Sequence, residues 1–177
     1  MFITFEWRVV FLPSKGKESK KRVLLLFYSK TGKTRRVMGV MGEALSGRYN
    51  VESVEVRPKV EMGFFRSIKL AKRGETVEVE ELKVNPEDYD LVVLGTPVWS
   101  GCPPPPINTV MKTFSGLSGR RVAVVATCAF SAGVTVKKIV EWVKSSGGEL
   151  AGSLVVKTLL GVRGKAVKKV EEFSKNL

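Results

Sequence analysis

Ser29-Lys30-Thr31-Gly32-Lys33-Thr34 sets three hydroxyls, two ammonium groups and a glycine on six consecutive residues, directly after the apolar run VLLLFY. A short turn of this composition, leading from a buried strand into a helix, suits an anion. The free N–H groups at a helix start and the positive end of its dipole favour a phosphate by about 0.3–1 kcal/mol. Each hydrogen bond to a charged oxygen adds roughly 1.5–3 kcal/mol. Taken alone, the loop also reads as an ordinary capped turn without a ligand. Its ending GKT invites comparison with the triphosphate-binding pattern G-x-x-x-x-G-K-[ST], which fails because the first glycine falls on Phe27. Asp88 and Asp90 precede their strand, so no Asp stands at a strand end to hold magnesium.

The rest of the composition removes most other chemistry. The chain has no His, no Gln and two Asp. Ser-His-Asp and Cys-His relays and His-ligated zinc are thereby excluded, and two cysteines cannot build a four-thiolate cage. Redox or binding chemistry must rest on a cofactor. With 44% hydrophobic and 27% charged residues over 177 positions, the chain is expected to fold around one core. Few amides beside abundant Lys, Arg, Glu and Val is a thermophile-like composition.

The pattern that must position the loop is an alternation of strands and helices. VLLLFY from Val23 reads as a strand buried on both faces. Val37, Val40, Met41, Ala44 and Leu45 then share one helical stripe that ends near Gly47. A second strand is expected at 51–56, a short helix through Phe64, Phe65, Ile68 and Ala71, and a third strand at LVVLGT. A helix follows from about Ile107 to Phe114, then a strand RVAVVAT and a helix carrying Val136, Ile139, Val140 and Val143. The last strand lies within 150–160 and the last helix turns Ala166, Val167, Val170 and Phe173 inward. Such a series implies an α/β fold, a doubly wound five-stranded parallel sheet with helices on both faces. Ligands in these sheets bind beyond the carboxyl ends of the strands where strand order reverses, which selects the loops 29–34, 97–105 and 128–133.

Residues 1–20 form a separate N-terminal extension ahead of a domain spanning 21–177. Its apolar stretch from Phe2 to Leu12 is shorter than the roughly 20 residues a membrane-spanning helix needs. Its positive charges follow the apolar run, opposite to a secretory signal. The expectation is a cytoplasmic protein, with the extension open between a mis-called start or loose tail, an extra strand or flap, and an interfacial anchor.

The three loops together resemble the flavodoxin-like family of FMN-binding proteins. Its phosphate loop has the form [ST]-x-T-G-x-T, which SKTGKT matches at every fixed position. Tyr89 to Gly101, through Leu91-Val92-Val93-Leu94-Gly95, is similar to the family's third strand and flavin loop, and Thr127 to Gly133 falls at its other flavin-flanking loop. The resemblance spans about 22–177 and implies strand order 2-1-3-4-5 and FMN as cofactor. By position it assigns Ser29, Thr31, Gly32 and Thr34 to the phosphate, with Lys30 and Lys33 at variable positions adding positive potential. Thr96, Pro97, Val98, Trp99, Ser100 and Gly101 would line the flavin ring, Trp99 as stacking partner, and Thr127, Cys128, Ala129, Phe130, Ser131 and Gly133 would close the other side. Trp99 also reads as a packing residue of a Pro-rich loop, and Phe130 equally as core or flavin neighbour. Cys102 and Cys128 are read as bystanders, since no His is present to activate either thiol.

The expected function is FMN-dependent redox chemistry in a flavodoxin-like electron-transfer protein. An NAD(P)H-dependent FMN or quinone oxidoreductase is the alternative within that class. No side chain need be a catalytic acid or base. The net charge of +13 departs from the acidic electron-carrying flavodoxins and calls for an acidic redox partner protein or a small-molecule acceptor. A non-enzymatic nucleic-acid or anionic-surface binder is the reading from a different class. Its basic residues are scattered over every helix without a nucleic-acid motif, so nucleic acid is not the expected partner. The oligomeric state is left open.

Overall fold

The computed structural model describes residues 20–177, so the reading of the N-terminal extension lies outside the described residues apart from Lys20. Five strands form one parallel sheet: β1 (Arg22–Phe27), β2 (Asn50–Glu55), β3 (Leu91–Pro97), β4 (Arg121–Cys128) and β5 (Glu149–Lys157). They lie in the order β2-β1-β3-β4-β5, the order that the family resemblance implies. Between and after them run α1 (Lys33–Ser46), α2 (Phe64–Arg73), α3 (Pro105–Thr113), α4 (Thr135–Ser145) and α5 (Lys165–Lys175). No helix among the described residues is long and apolar enough to cross a membrane.

Alternation along the strands sorts the core into two layers. Val23, Leu25 and Phe27 of β1 face α1 and α5, packing with Val37, Met38, Met41, Leu45 and Val170. Leu24 and Leu26 face the other way and join Ala71 of α2, Ile107 and Val110 of α3, and Ile139 and Val143 of α4. The side-chain period of two makes each central strand serve both layers, which is why β1, β3 and β4 read as unbroken apolar runs. β2 and β5 are edge strands and are partly exposed, so VESVEV carries charges that the inner strands lack.

Helix ends moved by a residue or two from expectation. α3 begins at Pro105, because proline fits a first helical turn whose N–H would have no acceptor. Crossing from β1 to β2 and back over β1 to β3 opens the crevice between the β1 and β3 tips, where α1 also begins. Close packing there is set by Gly95 of β3. A Cβ on it would stand 2.6 Å from Met38 Sδ and 2.8 Å from Phe27 Cβ.

Candidate functional site

The loop after β1 turns into α1 through Gly32, whose φ of 79° lies in the left-handed region that glycine enters without strain. Arg36 N–H donates to Gly32 O at 2.9 Å, which closes the first helical turn. Ser29 Oγ accepts from Arg35 N–H at 3.1 Å, so this hydroxyl is turned onto its own loop. The amides of Lys33 and Thr34 stand in the first turn of α1, where helix geometry supplies no acceptor.

Thr34 is buried, and its hydroxyl meets that of Thr127 at 2.8 Å. Thr127 in turn donates to Thr96 O at 3.4 Å, and Val98 N–H donates to Thr127 O at 2.9 Å. A chain of hydroxyls and carbonyls therefore joins the start of α1 to the tips of β3 and β4. Thr96 is fully buried, with its own hydroxyl on Pro97 O at 2.8 Å.

The loop after β3 makes a tight reversal. Trp99 and Cys102 exchange N–H···O bonds of 2.9 and 3.0 Å, and both central residues have positive φ, Ser100 at 49° and Gly101 at 80°. This turn is pressed against the loop after β4. A Cβ on Gly133 would lie 2.3 Å from Gly101 Cα and 2.4 Å from Gly101 O, while Val134 N–H donates to Gly101 O at 2.8 Å. Two glycines thus let two backbones touch, which fixes both loops as one wall.

Two adjoining cavities result. The first, about 130 Å³, is lined by Lys30, Thr31, Lys33 and Thr34 from one side and by Pro97, Val98, Trp99, Thr127, Cys128 and Ala129 from the other, with Thr158 at its edge. The second, about 360 Å³ and more open, is lined by Val98, Ser100, Gly101, Cys128, Ala129, Phe130, Ser131 and Gly133. Val98, Cys128 and Ala129 border both, so the two form one crevice. Of the residues singled out from sequence, only Ser29, Gly32 and Thr96 line neither. Thr158 was missed. It follows β5, a strand tip outside the three loops selected, and reaches the site by donating N–H to Cys128 O at 2.8 Å.

Trp99 is 8% exposed and packs edge-on to Tyr28, ring centroids 5.7 Å apart at 74°. Its ring is held by the core while one border faces the smaller cavity. Phe130 is 74% exposed, which removes the core reading of that residue. Cys128 is a free, buried thiol whose pKa is pushed up by burial, with nearby Lys157 opposing the shift. No cluster of residues able to hold a metal occurs among the described residues.

The donor set fits a phosphorylated flavin. Hydroxyls, helix-start amides and ammonium groups surround the smaller cavity, and among the described residues no carboxylate lines either one. Nearby acids are taken up by cations of the loop and helix start: Lys30 pairs with Glu61 and donates to Met62 O at 3.2 Å, and Arg35 forks onto Glu55 at 3.1 and 2.7 Å.

Fold and crevice together define a flavin-type doubly wound protein. Residues 22–154 match the model of the NADPH-dependent FMN reductase family, and the chain belongs to that family. It is an FMN-binding flavoprotein with a flavodoxin-like fold. No protein of curated function matches the sequence. Among solved structures, a flavoprotein in complex with FMN from Lactobacillus acidophilus is 23% identical, with TM-score 0.63 over 87% of this chain and 99% of that one. Two-electron reduced flavodoxin of Megasphaera elsdenii is 16% identical, with TM-score 0.61 over 88% and 99%. A flavodoxin of Streptococcus pneumoniae is 17% identical, with TM-score 0.59 over 88% and 97%.

Proposed function

We propose that the protein is an NAD(P)H-dependent FMN oxidoreductase that passes electrons from a nicotinamide donor to a small molecule or a protein acceptor. The observation that carries this reading is the convergence of the loops after β1, β3 and β4 on one crevice that no carboxylate lines among the described residues. FMN, when bound, supplies the electron-carrying chemistry, and the chain binds and orients it.

In this reading Thr31 and Thr34, with the amides of Lys33 and Thr34, hold the phosphate, and Lys33 adds positive potential. Ser29 and Gly32 shape that loop: the Ser29 hydroxyl fastens it to Arg35 N–H, and Gly32 makes its left-handed bend. Thr96 acts beneath the site through the Thr34–Thr127 hydroxyl chain. Pro97, Val98, Ser100 and Gly101 form one wall of the ring site, and Cys128, Ala129, Ser131 and Gly133 the other. Trp99 borders the ring with an edge that the core keeps in place. Electron-rich ring atoms are best served by backbone N–H groups from these turns, because among the described residues no carboxylate, lysine or arginine lines the larger cavity.

Room for a second substrate is what separates a reductase from a carrier. The match of residues 22–154 to the NADPH-dependent FMN reductase family favours the reductase. Loss of NADPH absorbance when purified protein, FMN and a quinone are mixed is the expected result. Protein that quenches FMN emission yet consumes neither NADPH nor NADH would be a carrier of the flavodoxin kind.

A further inference from the structure

Acidic residues are distributed unevenly around the crevice. Ten of the seventeen fall between Glu52 and Asp90, whereas none occurs from Leu91 to Val140 or from Leu150 to Val170. The fold sets the two populations on opposite flanks, with the acid-rich stretch beside β2 and the acid-free stretches forming β3, β4, the β4 and β5 tips and the start of α5. On the acid-rich flank Lys30 and Arg35 are paired with Glu61 and Glu55. On the other, Lys157, Arg163 and Lys165 are exposed and in no ion pair among the described residues.

The same flank holds bulky apolar side chains in water. Cys128 and Lys157 are register partners, and Thr158 N–H donates to Cys128 O at 2.8 Å, so the chains just beyond them leave side by side. Phe130 emerges from one tip, 74% exposed, and Leu159 and Leu160 from the other, 52% and 91% exposed. The leucines crown a turn closed by Gly161 N–H on Thr158 O at 3.0 Å. Phe130 also lines the larger cavity, so this side chain borders the site.

Resting on the cofactor reading above, we propose that this β4–β5 rim is the docking surface for an acidic redox protein, seated on Leu159, Leu160 and Phe130 and steered by Lys157, Arg163 and Lys165. An apolar centre with charges at its rim is the usual anatomy of a protein contact, and the rim charges set encounter rate and orientation. A second copy docked about a two-fold axis would set these cations against their own counterparts, which is repulsive. A bilayer is the poorer fit. Interfacial binding draws on the long apolar face of a helix, and here only three loop side chains stand at two strand tips.

The test titrates the full chain, with FMN added, against a plant-type ferredoxin as acidic carrier and cytochrome c as basic carrier, reading association by sedimentation at low salt. Saturable ferredoxin binding that weakens with salt is expected, with none for cytochrome c. Arg163→Glu with Lys165→Glu should weaken it about tenfold, and Leu159→Ser with Leu160→Ser about fivefold. Lys112→Glu with Lys144→Glu makes the same charge change in the last turns of α3 and α4, at the opposite pole, and should cost less than about twofold. Equal loss from both charge-reversed pairs, equal binding of cytochrome c, or no ferredoxin binding would overturn the proposal. So would recovery of the protein on phosphatidylserine vesicles that is abolished by the leucine pair. FMN emission in the same samples should be quenched alike in every variant. Its failure to quench in the unaltered protein would sink the cofactor reading, and the ferredoxin result would still decide the docking surface.

Discussion

Thr34 is the residue where local and distant structure meet. Its place in the first turn of α1 points to a phosphate, and its hydroxyl is fixed by Thr127, 93 positions away. Thr34→Ala removes one hydroxyl from the site and leaves Thr127 without that partner. FMN binding should fall about tenfold, equivalent to ~1.4 kcal/mol, with riboflavin affected less because it has no phosphate. Thr34→Ser should restore most of the loss, and equal losses for FMN and riboflavin would place Thr34 elsewhere than at the phosphate. Cys128 gives a second check. Burial raises its pKa, so the thiolate is scarcer than in a free thiol, and Ellman's reagent should react more slowly with it than with an exposed thiol at the same pH. Reaction at the rate of free cysteine at mildly alkaline pH would contradict it.

Much at this scale was legible because the residue types were concentrated: SKTGKT is six neighbours in one loop. The inward turn of the Ser29 hydroxyl, the Thr34–Thr127 contact and the arrival of Thr158 were not, since each depends on a partner brought in by the sheet. Trp99 shows the same limit. Its type suggests a flavin face, yet its orientation is set by Tyr28 and the core around Ile107.

Among the elements, the strands were easiest to read. Runs such as LLLF and VVL can satisfy a sheet buried on both faces, and little else explains them. Edge strands and helix ends were read less sharply, because exposure and caps depend on neighbours. The meeting of Gly101 and Gly133 lies at this scale too, since the sequence shows two loop glycines and only the fold shows their backbones in contact. Gly133→Ala must separate the two loops, as the intruding methyl would meet backbone that cannot step aside. A loss of about 2 kcal/mol or more in urea unfolding is expected, together with weaker FMN binding. Gly95→Ala should cost about 1–3 kcal/mol by driving Met38 and Phe27 off β3. An unchanged urea midpoint in either variant would contradict the packing described.

At the scale of the whole molecule, charge and burial set the response to pH and salt. Tyr28 and Tyr89 are both pushed up to about 12, first by burial, then by Glu61 and Glu55 for Tyr28 and by the 2.7 Å hydrogen bond to Glu52 for Tyr89. A raised value means that the folded state keeps the proton longer than the unfolded chain. The stability from these tyrosines is therefore complete below the ordinary value of 10.0 and is lost as pH rises towards about 12. Urea midpoints should hold near neutrality and fall across that window, less so in Tyr28→Phe, and a flat profile would refute the assignment. The net charge of +13 should also make the midpoint potential of bound FMN less negative than in an acidic flavodoxin, and sensitive to salt. At ~10 Å in a water-like dielectric each charge contributes only about 0.4 kcal/mol, so the effect is collective.

The most direct measurement is a titration of the full chain with FMN and, separately, with riboflavin, following flavin emission. Saturable quenching at micromolar FMN, with riboflavin bound markedly more weakly, is expected if the β1 loop grips a phosphate while the β3 and β4 loops enclose the ring. Emission that stays constant with FMN, or two flavins bound equally well, would contradict it.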